Sequence, residues 1–145
     1  MNTGIQGIKS LFRHPDMGLV IIRLGVGIVL AIAGYNKFMG GEATLHAVGA
    51  NIKYFGLDVG TNNISTMFFG VLAAGVELAG GVFIIAGILF RTSAFFLIMT
   101  MLVATLMMID TSGGDLTKFG YPMVVGMVLL GLLFTGPGKI SLMKE

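Results

Sequence analysis

The sequence predicts an all-α integral membrane protein, a four-helix bundle with a long outer loop that carries a short amphipathic helix between the first two spans. Two observations give that class. Hydrophobic residues make up 55% of the 145-residue chain, charged residues 11%, and the mean hydropathy is +0.94. A soluble domain usually carries about 25% charged residues, so this chain has too few to coat a water-facing surface. The apolar residues also fall into four runs, and about 20 apolar residues are what a helix needs to cross a bilayer. The whole chain, residues 1–145, reads as one membrane domain with spans at roughly 17–38, 66–90, 93–109 and 122–135.

Before the first span lies a short basic lead with Lys9 and Arg13, then His14-Pro15-Asp16, where Asp16 is placed to cap the helix. The first apolar run is too long for a signal-peptide core and no small-residue cleavage site follows it, so it reads as a span. Arg23, Gly27, Leu30, Gly34 and Lys37 recur along it at helical spacing and share a face. That face holds two cations about 21 Å apart, at ~1.5 Å rise per residue. Residues 40–66 are a polar connection in which Leu45, Val48, Ile52 and Phe55 have the spacing of an amphipathic helix, lying on the membrane surface or folded back over the bundle.

The second span organises the rest. Glu77 lies near its middle among Gly70, Ala73, Ala74, Gly80 and Gly81, and Arg91 lies at its edge. A carboxylate at that depth costs about 2.5–3.5 kcal/mol or more to insert, a cost that calls for a partner charge, a proton or a ligand. The third span is rich in Phe, Leu and Met, with Thr100 and Thr105 able to bond back to their own helix. Residues 110–120 read as a polar loop. The fourth span is short and ends at Gly136-Pro137-Gly138, followed by a basic tail.

Four spans place both termini on one side. That side carries Lys9, Arg13, Arg91, Lys139 and Lys144 against Asp16 and Glu145. The other carries Lys37, Lys53 and Lys118 against Glu42, Asp58, Asp110 and Asp115. The more basic side is the cytoplasmic one, so both termini are expected in the cytoplasm. The net charge of +2 is spread along the chain and gives no nucleic-acid signal. The absence of cysteine excludes disulfides, thiolate metal sites and a thiol–disulfide relay within the chain.

Three stretches together resemble the DoxX family of small four-helix bacterial membrane proteins: RLGVGIVLAIAGYNKF in the first span, VELAGGVFIIAGILFRTSA in the second, and the closing GPGKISL. The likeness lies in the order of Arg, glycines and Lys, then Glu, glycines and Arg, then Gly-Pro-Gly, and it runs nearly the length of the chain. It implies a place in the inner membrane and redox chemistry there. Some such proteins look like quinone-reducing subunits, others like accessory partners in oxidative-stress complexes.

The leading expectation is a quinone-linked oxidoreductase subunit whose electrons come from a redox partner protein, with a bound quinone and no covalent cofactor. Glu77 would handle the proton, while Arg23 and Lys37 would line the same small polar cavity and hold the quinone oxygens. A plainer reading makes Glu77 and Arg23 an interhelical pair that fixes packing. Tyr35 and Arg91 are further ligand-binding candidates. For Tyr35 the competing role is an anchor at the bilayer edge, and for Arg91 it is a topology determinant. Two other function classes stand beside this one. A non-catalytic scaffold or assembly partner in an oxidative-stress or respiratory complex would dock another protein on the loop at 40–66; a homo-oligomer is a separate expectation. A small proton or solute carrier would use Glu77 as its gate. His14 and His46 fall on opposite membrane sides and cannot share a metal, and Met99, Met101, Met107 and Met108 read as packing or lipid contact, so no metal site is expected.

Overall fold

The computed structural model describes residues 15–60 and 63–143, and the expectations for Lys9, Arg13, His14, Lys144 and Glu145 fall outside them. The described residues form five helices: α1 Pro15–Met39, α2 Gly41–Ala50, α3 Asn63–Ala86, α4 Phe90–Ser112 and α5 Leu116–Thr135, with a 3₁₀ turn Asn51–Phe55 after α2. Four of them, α1, α3, α4 and α5, are long and apolar enough to cross a membrane. Large apolar side chains such as Ile21, Ile32, Phe68, Phe95 and Phe134 face outward. In water such a surface would drive association, whereas in a bilayer it meets lipid.

Helix α3 is the central element. It packs against α1 and α2 on one side and α4 on the other, and α4 in turn packs on α5, while α1 and α5 meet only slightly. Small residues set the α1–α3 distance. A Cβ at Gly27 would lie 2.7 Å from Gly81 O, and one at Gly81 would lie 2.6 Å from Ala31 N. Only glycine fits at such a crossing, the usual way membrane helices gain close backbone contact. The same device seats α2, since a Cβ at Gly49 would lie 2.7 Å from Gly70 N. The amphipathic segment therefore folds back over the bundle, with Leu45 buried beneath it. The core joins Leu30, Ile84, Phe90, Ala94, Leu97, Met101, Leu129 and Leu132.

The element ends differ from expectation in four places. The second span stops at Ala86 rather than residue 90 and α4 begins at Phe90 rather than residue 93, because the chain turns at 87–89, where Gly87 and Leu89 have positive φ. The loop expected at 110–120 shrinks to a few residues, because Thr111 and Ser112 hydroxyls donate back to the carbonyls of Met107 (2.8 Å) and Met108 (2.5 Å) and continue α4. Helix α5 starts six residues before the expected Pro122. The Asp115 side chain caps it by accepting from Thr117 N at 3.0 Å, and Pro122 is buried inside the helix. Asp16 is not a cap but a first-turn residue of α1, and its Oδ1 accepts from Lys139 N at 3.3 Å.

Two ends of the bundle can now be distinguished. The tail end gathers the start of α1, the α3–α4 turn and residues 136–143. There Leu142 N and Met143 N donate to Ala86 O (3.2 Å) and Gly87 O (3.3 Å). The loop end gathers α2, the 3₁₀ turn and the α4–α5 turn.

Candidate ligand site beside a buried ion pair

Lys37 lies in the last turn of α1 and Glu77 in the middle of α3. On an α-helix every Cα–Cβ bond tilts toward the N-terminus. The Lys37 stem accordingly leans from the loop end back toward the membrane interior. Gly34, one turn earlier, lies against the backbone of Ala74 and Leu78, which brings α1 close enough for the reach. The Lys37 ammonium donates to Glu77 Oε1 in a tight ion pair. Glu77 is 1% exposed and Lys37 26% exposed. The second carboxylate oxygen, Oε2, is buried with no hydrogen-bond partner. The pair thus has one satisfied oxygen and one acceptor still able to take a hydrogen or hold a proton.

The expected meeting of Arg23 and Glu77 does not form. Arg23, 2% exposed, is committed at the tail end. Its Nε donates to Ile84 O (3.0 Å) and its Nη2 to Ile85 O (2.9 Å). Its Nη1 donates to Pro137 O (2.6 Å) and Ile140 O (2.7 Å). Helix α3 ends at Ala86, so the Ile84 and Ile85 carbonyls lie in its last turn, where helical partners run out and the dipole is negative. A guanidinium, with five donors in a planar fork, suits that cluster, and Phe90 covers it with its ring centroid 5.4 Å from Cζ. The carbonyls outcompete the carboxylate for Arg23 because they are nearer along α1. The sequence signal for this was the Gly-Pro-Gly turn, which folds the tail back toward α1.

Tyr35 is 53% exposed and stands outside the pair. Arg91 is exposed at the tail end, near Gly136. Of the five candidates, the structure brings together Lys37 and Glu77, and it places Arg23 and Arg91 at the opposite end.

Lys37 also forms part of the wall of a partly open cavity of about 280 Å³ lined by α2, the 3₁₀ turn, α3 and α4. Phe55, Phe69 and Phe96 supply aromatic faces, and Met99, Met107 and Met108 supply thioethers. Three of the four methionines read as packing therefore face this space, while Met101 is in the core. Sequence reasoning missed the cavity because α2 had no assigned seat. The pairing of Gly49 with Gly70 was the signal that fixed one. Thr100 also lines it and donates its hydroxyl to Leu97 O at 2.8 Å. Among the described residues, no three His, Cys, Asp or Glu side chains cluster to hold a metal. His46 Nδ1 instead shares a hydrogen bond with Thr66 Oγ1 at 2.7 Å, joining α2 to α3.

The DoxX family model matches residues 18–110. The chain belongs to the DoxX family. The matched stretch holds Arg23, Lys37, Glu77 and every residue of the cavity wall, and it stops short of α5 and the tail. The curated proteins give no match, and neither do the solved structures. In this DoxX protein a mostly apolar space between helices has one ammonium in its wall, backed by a buried carboxylate.

Proposed function

We propose that this DoxX protein is a quinone-linked redox subunit of the bacterial cytoplasmic membrane, working with a reduced partner protein that supplies electrons. The observation that carries the reading is the Lys37 ammonium, tied to Glu77, in the wall of a mostly apolar cavity whose other polar lining residues are Asn51 and Thr100. Ligand sites of this kind are mostly apolar with a few placed polar groups, and they start at about 300 Å³. A single quinone ring suits that size. Its carbonyl oxygen accepts a hydrogen bond from Lys37, and the aromatic walls flank the ring.

Reduction of a quinone takes two electrons and two protons. The electrons come from the partner. As negative charge grows on the carbonyl oxygen, the adjacent ammonium stabilises it, an effect that is large where water is excluded. One proton reaches that oxygen through the Lys37–Glu77 pair, and water at the loop end supplies the second, on the other carbonyl, and reprotonates the pair. Arg23, held by four carbonyls, has no part in this step. The tail end, with Arg91 and Lys139, faces the cytoplasm in this reading. The loop end, with Lys37, Lys53 and Lys118 against Glu42, Asp58, Asp110 and Asp115, faces outward, since by sequence its side carries three cations to the other side's five.

The test is quinone binding by the purified protein in nanodiscs, for the wild type and Lys37→Met. Binding by the wild type that weakens about tenfold or more in the variant, the factor that 1.4 kcal/mol represents, is the expected result. Equal binding by both proteins, or none by the wild type, removes the reading.

A further inference from the structure

A second apolar space of about 420 Å³ runs along the α3–α4 seam toward the tail end, lined by Val71, Gly75, Ala79, Phe83, Leu89 and Thr92 among others. It shares Leu72, Val76 and Phe96 with the wall of the Lys37 cavity. Because α3 and α4 run antiparallel, the two spaces occupy successive halves of one seam. The cavity takes the loop-end half and the groove the tail-end half. From Met108 to Thr92 the seam is about 24 Å long, at ~1.5 Å rise per residue.

The two halves differ in chemistry. The first has an ammonium, an asparagine, a threonine and three aromatic rings. The second is lined by aliphatic, aromatic and small side chains, and its two hydroxyl residues, Thr92 and Ser93, lie at its tail-end limit. A polar head beside Lys37 and an apolar chain running from it match that division. We infer that the α3–α4 groove is the binding site for the hydrocarbon tail of the ligand, so that the protein takes a quinone with a long apolar side chain rather than a bare ring. This rests on the quinone reading and names its substrate class.

Gly75 makes the groove. A Cβ there meets nothing within 4 Å, so the space beside it is free. Gly80, one turn on, is different, since a Cβ would lie 3.0–3.1 Å from the Leu97 side chain. A leucine at 75 therefore starts from an unobstructed Cβ on the groove wall, and it removes a mid-helix glycine that disfavours the helix.

The experiment compares a benzoquinone ring bearing no chain with the same ring bearing a decyl chain. Binding is measured in nanodiscs, with empty nanodiscs correcting for partition, and the bilayer's own phospholipid supplies acyl-chain competition. The wild type should bind the decyl probe about tenfold or more tighter than the bare ring, a difference of 1.4 kcal/mol. Gly75→Leu should lose that preference and keep its affinity for the bare ring. Gly25→Leu, on α1 and equally free of neighbours, should keep both. Two results overturn the inference and leave the quinone reading standing: the wild type binds both probes equally, or Gly75→Leu retains the preference. Failure of the wild type to bind either probe overturns both.

Discussion

Glu77 illustrates how much one side chain demands of its surroundings. A carboxylate buried in the bundle is tolerable only with a counter-charge, and Lys37 supplies it. Removing one partner of a buried pair costs about 3–5 kcal/mol, because the other is left uncompensated. Lys37→Met should therefore lower the unfolding midpoint in detergent more than the double variant Lys37→Met/Glu77→Gln, which leaves no charge to bury. A double variant as unstable as the single one would show that the charge is not what matters. Arg23 makes the complementary point. Arg23→Lys keeps the charge but loses the fork that serves four carbonyls, so the tail should detach. The chain has no cysteine, so Ser141→Cys gives a single thiol beside Gly138 O and Met143 O. That thiol should react with a maleimide several-fold faster in the Arg23→Lys background than beside native Arg23. The charged residues were legible in the sequence as costs requiring partners. For Glu77 the sequence placed Lys37 in the same cavity but named Arg23 as its pair; the partners of Arg23 were not legible, because carbonyls are invisible to residue-type reasoning.

At the scale of elements, the spans were legible because bilayer thickness dictates their length, and α3 was legible as the centre because its small residues and its carboxylate coincide. Helix ends were less legible. Thr111 and Ser112 look like loop residues until their hydroxyls find carbonyls one turn back. Pro122 looks like a start until Asp115 is seen to cap earlier. Glycines were ambiguous for a related reason, since their value depends on what lies opposite. Gly81 faces the α1 backbone, while Gly18 and Gly25 face open space. Gly81→Leu should force α1 from α3, separate Lys37 from Glu77, and destabilise the bundle by more than overpacking alone, which is about 1–3 kcal/mol. Gly25→Ala should be neutral or stabilising by up to about 0.5–1 kcal/mol, because it only removes backbone freedom from a helix. Thermal unfolding of both variants in one detergent checks the contrast; equal losses would mean the α1–α3 crossing does not hold the bundle.

Over the whole molecule, the two ends are closed by different chemistry. The tail end is sealed by buried hydrogen bonds around Arg23. At the loop end an exposed contact joins the 3₁₀ turn to α4, with Tyr54 OH donating to Asp110 Oδ2 at 2.7 Å. Residues beside both partners, Ile52 and Phe55 on one side and Met107 and Met108 on the other, line the Lys37 cavity, so this contact ties together two of the elements that form its wall. The hydrogen bond to Asp110, with minor contributions from desolvation and from the charge of Asp110, raises the Tyr54 hydroxyl above its ordinary value of 10.0. The bond needs the phenol protonated. Its contribution is therefore complete below pH 10.0 and is lost as pH climbs through the raised value. Asp110→Asn takes away the carboxylate acceptor, and one of the three tyrosines should then titrate at lower pH. The check is the tyrosinate absorbance of wild type and Asp110→Asn across the alkaline range, with Tyr54→Phe identifying the component that moves. Superimposable curves for wild type and Asp110→Asn would show that Asp110 does not hold the Tyr54 hydroxyl and that this bond does not tie the 3₁₀ turn to α4.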